Sequence, residues 1–131
     1  MNFIEISAKD GSPYIKFDPE GGSLVIKGRS YDDEVMVIYN LIRNKIKEYV
    51  NNGRRELKAN IFLKYFNTAS SKCLFDLMGD LKKLQTEYPD FNLDLEWNYL
   101  EGDDQMKEEL EDLKAAIDIE FEIVEREDDI I

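Results

Sequence analysis

Apolar residues change period repeatedly along the chain, and each change marks an element. Val35, Ile38, Ile42, Ile46 and Tyr49 recur at three and four residues with Arg43, Lys45, Lys47 and Glu48 between them. That spacing predicts an amphipathic helix, closed near Asn51-Asn52-Gly53. Leu57, Ala59, Ile61, Leu63 and Tyr65 then alternate as a strand. A second helix carries Leu74, Leu77, Met78, Leu81, Leu84 and Tyr88 on one stripe, and Pro89 stops it. Phe91, Leu93, Leu95, Trp97 and Tyr99 return to a period of two, Met106, Leu110, Leu113 and Ile117 to helical spacing, and Ile119, Phe121 and Ile123 alternate with Glu120 and Glu122 as a last strand. Ahead of the first helix, Ile4 and Ile6 precede the turn signal Asp10-Gly11, Tyr14 to Asp18 is rich in β-formers, and Asp18-Pro19-Glu20-Gly21-Gly22 leads into Leu24-Val25-Ile26. Connections this short join antiparallel strands.

The order is β-β-β-α-β-α-β-α-β. Strands buried on both faces read as continuous apolar runs. Here the second face of the late strands is Asn92, Asp94, Glu96 and Asn98, then Glu120 and Glu122. Part of the sheet therefore faces water, and the fold class is α/β: a two-layer sandwich with a mixed sheet of about six strands and helices mainly on one face. Right-handed crossovers are expected for the β-α-β units, while strand order is left open. With no repeat or linker, residues 1–125 form one domain and residues 126–131 an acidic C-terminal tail.

Composition narrows the chemistry. The 131 residues include 17 Lys and Arg, 29 Asp and Glu and no histidine, a net charge of −12. Residues 101–131 hold 14 acids against 3 bases, so the first hundred residues are close to neutral. Without histidine there is no Ser-His-Asp triad, Cys-His pair or His-ligated zinc. The acid excess argues against a nucleic-acid partner, whose phosphates call for Lys and Arg. No stretch approaches the length of a membrane span, and Met1-Asn2-Phe3-Ile4 begins no signal peptide. The one cysteine, Cys73, forms no internal bridge and reads as a small apolar residue. A protein of the cytoplasm, without cofactor and without membrane contact, is expected.

Three segments lie where a strand hands over to a helix. In Gly28-Arg29-Ser30-Tyr31-Asp32-Asp33-Glu34, Ser30 and Asp33 stand at capping-box spacing, which leaves Arg29 and Tyr31 as candidate interaction residues. In Lys64-Tyr65-Phe66-Asn67-Thr68-Ala69-Ser70-Ser71-Lys72, Asn67 or Thr68 is expected to cap the helix. Small and hydroxyl residues are more numerous there than one cap requires, and a phosphate on Thr68 would sit at a helix N-terminus between Lys64 and Lys72. In Trp97-Asn98-Tyr99-Leu100-Glu101-Gly102-Asp103-Asp104, Asp103 or Asp104 reads as an N-cap and Trp97 and Tyr99 as core. The acids there do not follow EF-hand spacing.

Taken together, Tyr65-Phe66-Asn67-Thr68-Ala69-Ser70-Ser71-Lys72, Gly28-Arg29-Ser30-Tyr31 and Trp97-Asn98-Tyr99 with Asp103-Asp104-Gln105-Met106 resemble the SiaC family of bacterial regulatory phosphoproteins over nearly the whole chain. Asp32 stands where that family usually has Pro, and Ala69 where Ser is common. The resemblance implies a fold similar to STAS-type anti-sigma-factor antagonists and a non-enzymatic role as a partner switch. It implies phosphorylation of Thr68 by a Ser/Thr kinase of histidine-kinase-like ATPase type and its removal by a PPM-type phosphatase. It further implies that the unphosphorylated form binds and activates a diguanylate cyclase, raising cyclic di-GMP and promoting biofilm growth. The partner surface would comprise Asn67, Ser70, Ser71, Lys72, Arg29 and Tyr31. Two other readings are a constitutive interaction module in which Thr68 only caps its helix, and a small metal-assisted enzyme using Glu101, Asp103 and Asp104.

Overall fold

A computed structural model describes residues 3–127. Its elements follow the predicted order: β1 (Ile4–Ile6), β2 (Tyr14–Asp18), β3 (Ser23–Ser30), α1 (Val35–Asn51), β4 (Glu56–Phe66), α2 (Thr68–Glu87), β5 (Asn92–Leu100), α3 (Asp104–Ile117) and β6 (Glu122–Arg126). The sheet runs β1-β2-β3-β4-β5-β6, antiparallel through β3 and parallel from there on. Because the strand order never reverses, crossovers of one hand deliver all three helices to the same face. The reversal point at which doubly wound sheets open a ligand crevice is absent for the same reason.

Core residues come from alternate positions of the strands and one stripe of each helix. Phe17, Leu24, Ile26, Ile61 and Trp97 pack against Tyr39, Ile42, Ile46, Leu77, Leu81 and Leu110, all at or near zero exposure. Arg43 of α1 ties the first two helices together with a two-pronged contact to Asp80, Nε to Oδ2 at 2.6 Å and Nη2 to Oδ1 at 3.2 Å.

Several expectations change in the structure. Ser30 does not cap α1: β3 extends through it, and its hydroxyl is buried among side chains from two helices. The residue before α1 is Glu34, which makes no side-chain cap bond. The last strand starts at Glu122, not Ile119. Asp118 ends α3 in the left-handed region at φ 59°, and Ile119 and Phe121 fill the core from the connecting segment before the ladder begins.

The helix-free face is not simply wet either. Asn98 is fully buried there: it donates to Asn60 Oδ1 at 2.7 Å and the Ile61 carbonyl at 3.1 Å, and accepts from Arg126 Nε at 2.7 Å. Glu96 completes the set by accepting from Asn60 and Arg126. A buried amide is tolerable when its donors and acceptors are used this fully. Arg126, the first residue of the expected acidic tail, thus closes the last strand onto its neighbours; residues 128–131 of that tail lie outside the described residues.

Candidate functional site

Between β4 and α2 the chain makes one irregular step that sets the site. Gly28 stands opposite Leu63, but the next pair is Arg29 opposite Tyr65, so β4 carries one extra residue at this point. An inserted residue shifts which side chains reach each face. The alternation that buries Leu57, Ala59, Ile61 and Leu63 would have buried Tyr65 too. Instead Tyr65 is exposed, its ring centroid 6.1 Å from that of Tyr31, and Phe66 takes the inward position against the core. Gly28 supplies the φ of +118° that β3 needs beside this step.

Asn67 then starts α2. Its side-chain oxygen accepts from Ser70 N at 2.9 Å, its amide nitrogen donates to the Tyr31 carbonyl at 3.2 Å, and its backbone N–H donates to the Ser30 carbonyl at 3.1 Å. One residue therefore caps the helix and fastens it to the end of β3. Beneath it runs a chain of hydroxyls: Tyr39 donates to Ser30 Oγ at 3.0 Å, and Ser30 and Ser70 Oγ lie 2.7 Å apart. Ser70 is fully buried, so it positions the helix start from inside and does not meet the surface.

Thr68 is the first helical residue and is exposed. The cap belongs to Asn67, so of the two residues expected to cap the helix Thr68 is not the one. Thr68 and Ser71 edge a cleft of about 440 Å³ between α2 and α3, walled by Phe66, Leu74, Phe75 and Leu113 and rimmed by Glu109 and Asp112. Lys72, highly exposed, pairs with Asp76 at 3.3 Å. Lys64 does not join this group: it lines a cavity with Phe62 and Lys27 on the helix-free face. Arg29 and Tyr31 line that same cavity, and the Tyr31 backbone is bonded to Asn67.

Four apolar side chains of α1 and α2 lie outside the buried stripes. Met36, Val37 and Leu41 on α1 and Phe75 on α2 are exposed at 54%, 73%, 39% and 44%. The signal was present: these residues are apolar but fall out of phase with the buried stripes of their helices. Of the four, Phe75 lines the cleft that Thr68 edges. The two helices both follow parallel strands and so run side by side in the same direction, joined by Arg43 to Asp76 and Asp80.

The acids after β5 serve the fold. Asp103 caps α3 by accepting from Met106 N at 3.1 Å, Asp104 lies in its first turn and Glu101 is exposed. Among the described residues no group of acids and cysteine is arranged to hold a metal ion. Burial pushes the Cys73 thiol up, which keeps it protonated and unreactive near neutral pH.

Burial also pushes the Tyr39 phenol from 10.0 up to about 12. The neutral phenol is thus favoured in the fold, so its contribution is fully present below pH 10 and is lost as pH rises from there to about 12. A difference of that size corresponds to about 3 kcal/mol. Denaturant unfolding at alkaline pH is expected to show this loss in the wild type and a shallower one in Tyr39→Phe. Parallel loss in both would place the alkaline sensitivity elsewhere.

Residues 6–126 match the family described as SiaC family regulatory phosphoprotein. An uncharacterised protein of Pseudomonas aeruginosa (strain UCBPP-PA14) is 24% identical over 124 residues, covering 94% of this chain and 96% of the relative. The crystal structure of apo-SiaC from Pseudomonas aeruginosa superimposes with a TM-score of 0.84 at 22% identity, over 95% of this chain and 99% of that one. The crystal structure of diguanylate cyclase SiaD in complex with its activator SiaC, from the same organism, includes a chain that matches with a TM-score of 0.85 at 22% identity, covering 94% of this chain and 99% of that one.

Proposed function

The chain belongs to the SiaC family of regulatory phosphoproteins, and from that membership we propose that it is a non-enzymatic partner switch of the cytoplasm whose phosphoacceptor is Thr68 and whose output partner is a diguanylate cyclase. One observation carries the assignment to Thr68: it is exposed at the first position of α2, while the capping duty at that helix end is already discharged by Asn67. A hydroxyl that the fold does not use stands at the edge of an apolar cleft. The activator role is supported by a related chain of the same fold having been crystallised with the cyclase that it activates.

The mechanism is local electrostatics. A phosphate on Thr68 brings a charge of about −1.5 to −2. At a helix N-terminus that charge is tolerated by the domain itself. At the cleft it joins Glu109 and Asp112, and any partner covering Phe75 and Leu113 would have to bury or repel it. The unphosphorylated state is therefore the binding state. Arg29, Tyr31, Asn67, Ser71 and Lys72 frame or support this surface, and Ser70 holds it from beneath. A Ser/Thr kinase of histidine-kinase-like ATPase type and a PPM-type phosphatase would set the modification.

The test is intact mass of protein isolated from its own host before and after phosphatase treatment, with the modified peptide mapped. Phosphorylated protein is then expected to bind the cyclase about 5- to 150-fold more weakly than the unmodified form, and Thr68→Glu to weaken it in the same direction. Absence of modification at Thr68, together with unchanged binding by Thr68→Glu, would remove the switch.

A further inference from the structure

On the face of the sheet away from the helices, the β1–β2 connection together with β2, β3 and β4 lines an open pocket of about 390 Å³. This lies within the range of small-molecule sites. The connection is built, not merely draped. Lys9 and Ser12 exchange backbone hydrogen bonds at 3.0 Å, Tyr31 and Asp32 N–H both donate to the Gly11 carbonyl at 2.8 Å, and Tyr31 OH donates to Asp10 Oδ1 at 2.6 Å. Gly11 has φ +82°, and a Cβ there would meet the Tyr31 ring at 3.0 Å, so only glycine lets the loop close this tightly.

The lining is unlike the rest of this acidic protein. Among the described residues, Lys9, Lys27, Arg29 and Lys64 line the pocket with one acid, Asp10, whose carboxylate is engaged by Tyr31. The side chains of Lys9, Lys27 and Arg29 make no ion pair among the described residues; Lys27 lies 5.2 Å from the centroid of the Tyr14 ring. Phe62 is buried at 1% exposure yet belongs to this face and not to the helix-side core, and Tyr14 and Tyr31 add two more rings. Ser12 also borders the pocket, but its hydroxyl is buried away from it, with no hydrogen-bond partner among the described residues.

We propose that this cavity binds a phosphorylated compound with a planar ring, of mononucleotide size. Lys9, Lys27 and Arg29 take the phosphate, and the Tyr14 and Tyr31 rings receive the planar ring, since stacking on aromatic side chains is open to every base. The pocket has the volume of a small-molecule site, and the loop bonds mean that little order is lost on binding. The site shares Arg29 and Tyr31 with the edge of the Thr68 surface, but it stands or falls separately from the phosphorylation reading.

Titration calorimetry and amide-resolved NMR on the full chain with GMP, AMP, guanosine and inorganic phosphate test it. At least one nucleotide is expected to bind saturably, with shifts at Ser12, Lys27 and Phe62 and with affinity falling as salt rises. Guanosine, inorganic phosphate and the Lys27→Ala/Arg29→Ala variant are each expected to show at least about tenfold weaker binding, while Thr68→Ala leaves nucleotide binding unchanged. The proposal is overturned if neither nucleotide binds up to millimolar concentration, if the substitutions leave affinity intact, or if inorganic phosphate binds as tightly as a nucleotide.

Discussion

Phe75→Asp is expected to weaken binding of the proposed diguanylate cyclase partner by roughly 30- to 1,000-fold while leaving the fold in place. Phe75 is 44% exposed and lines the cleft that Thr68 edges, with Glu109 and Asp112 on the same rim. Truncating a central aromatic anchor commonly removes 2–4 kcal/mol of binding free energy, about 2 kcal/mol corresponding to 30-fold. Placing a carboxylate in its stead also imposes on the partner the desolvation and repulsion attributed to phosphorylated Thr68. Stability should fall by only about 1–2 kcal/mol, because Phe75 is already 44% exposed and loses just the part of the ring packed in the cleft. Lys72, three residues before it, would even gain a compatible charge. Calorimetric titration against the cyclase, alongside a melting curve, separates the two effects. Undiminished binding by Phe75→Asp would move the interface off this cleft, whatever the fate of Thr68.

The element order was legible because the periods are clean. Val35, Ile42, Ile46 and Tyr49 are buried on α1, Leu95, Trp97 and Tyr99 on β5, and Asp103 caps α3 as its position ahead of an apolar stripe implied. Where tertiary contacts override local pattern, the sequence misleads. Ser30 and Asp33 have capping spacing, but a strand that continues to Ser30 and two hydroxyl partners 9 and 40 residues away decide its role. Tyr65 keeps the strand's parity in sequence and loses it to one extra residue in the ladder. Asn98 looks solvated by type, yet Asn60 and Arg126 make its burial acceptable. At the candidate site, Thr68 and Asn67 were visible as a hydroxyl-rich helix start, whereas the apolar rim was not. Buried stripes attract attention in a helical pattern, and Val37 and Leu41 carry information because they fall outside one.

The largest stability effect is expected at Trp97. It is the single tryptophan, fully buried in β5, opposite Ile61 on one side and Ile123 on the other, with the Phe121 ring 5.9 Å away. Trp97→Ala removes the bulkiest side chain of the core and leaves a cavity that a sheet fixed on both sides cannot collapse, so a loss of about 3–5 kcal/mol is expected. For a chain of this size that is a fall in Tm of roughly 10–25 °C. Trp97→Phe should behave very differently. Among the described residues the indole N–H is buried with no hydrogen-bond partner, a defect that costs about 1–3 kcal/mol. Phenylalanine removes the donor while keeping most of the apolar contact, so the smaller void and the relieved donor offset each other to within about 1 kcal/mol. Circular dichroism must follow the melts, since both variants lose the only indole fluorophore. If Trp97→Phe melts nearly as low as Trp97→Ala, the indole is held by a partner the structure does not contain, and the polar deficit assigned to it is wrong.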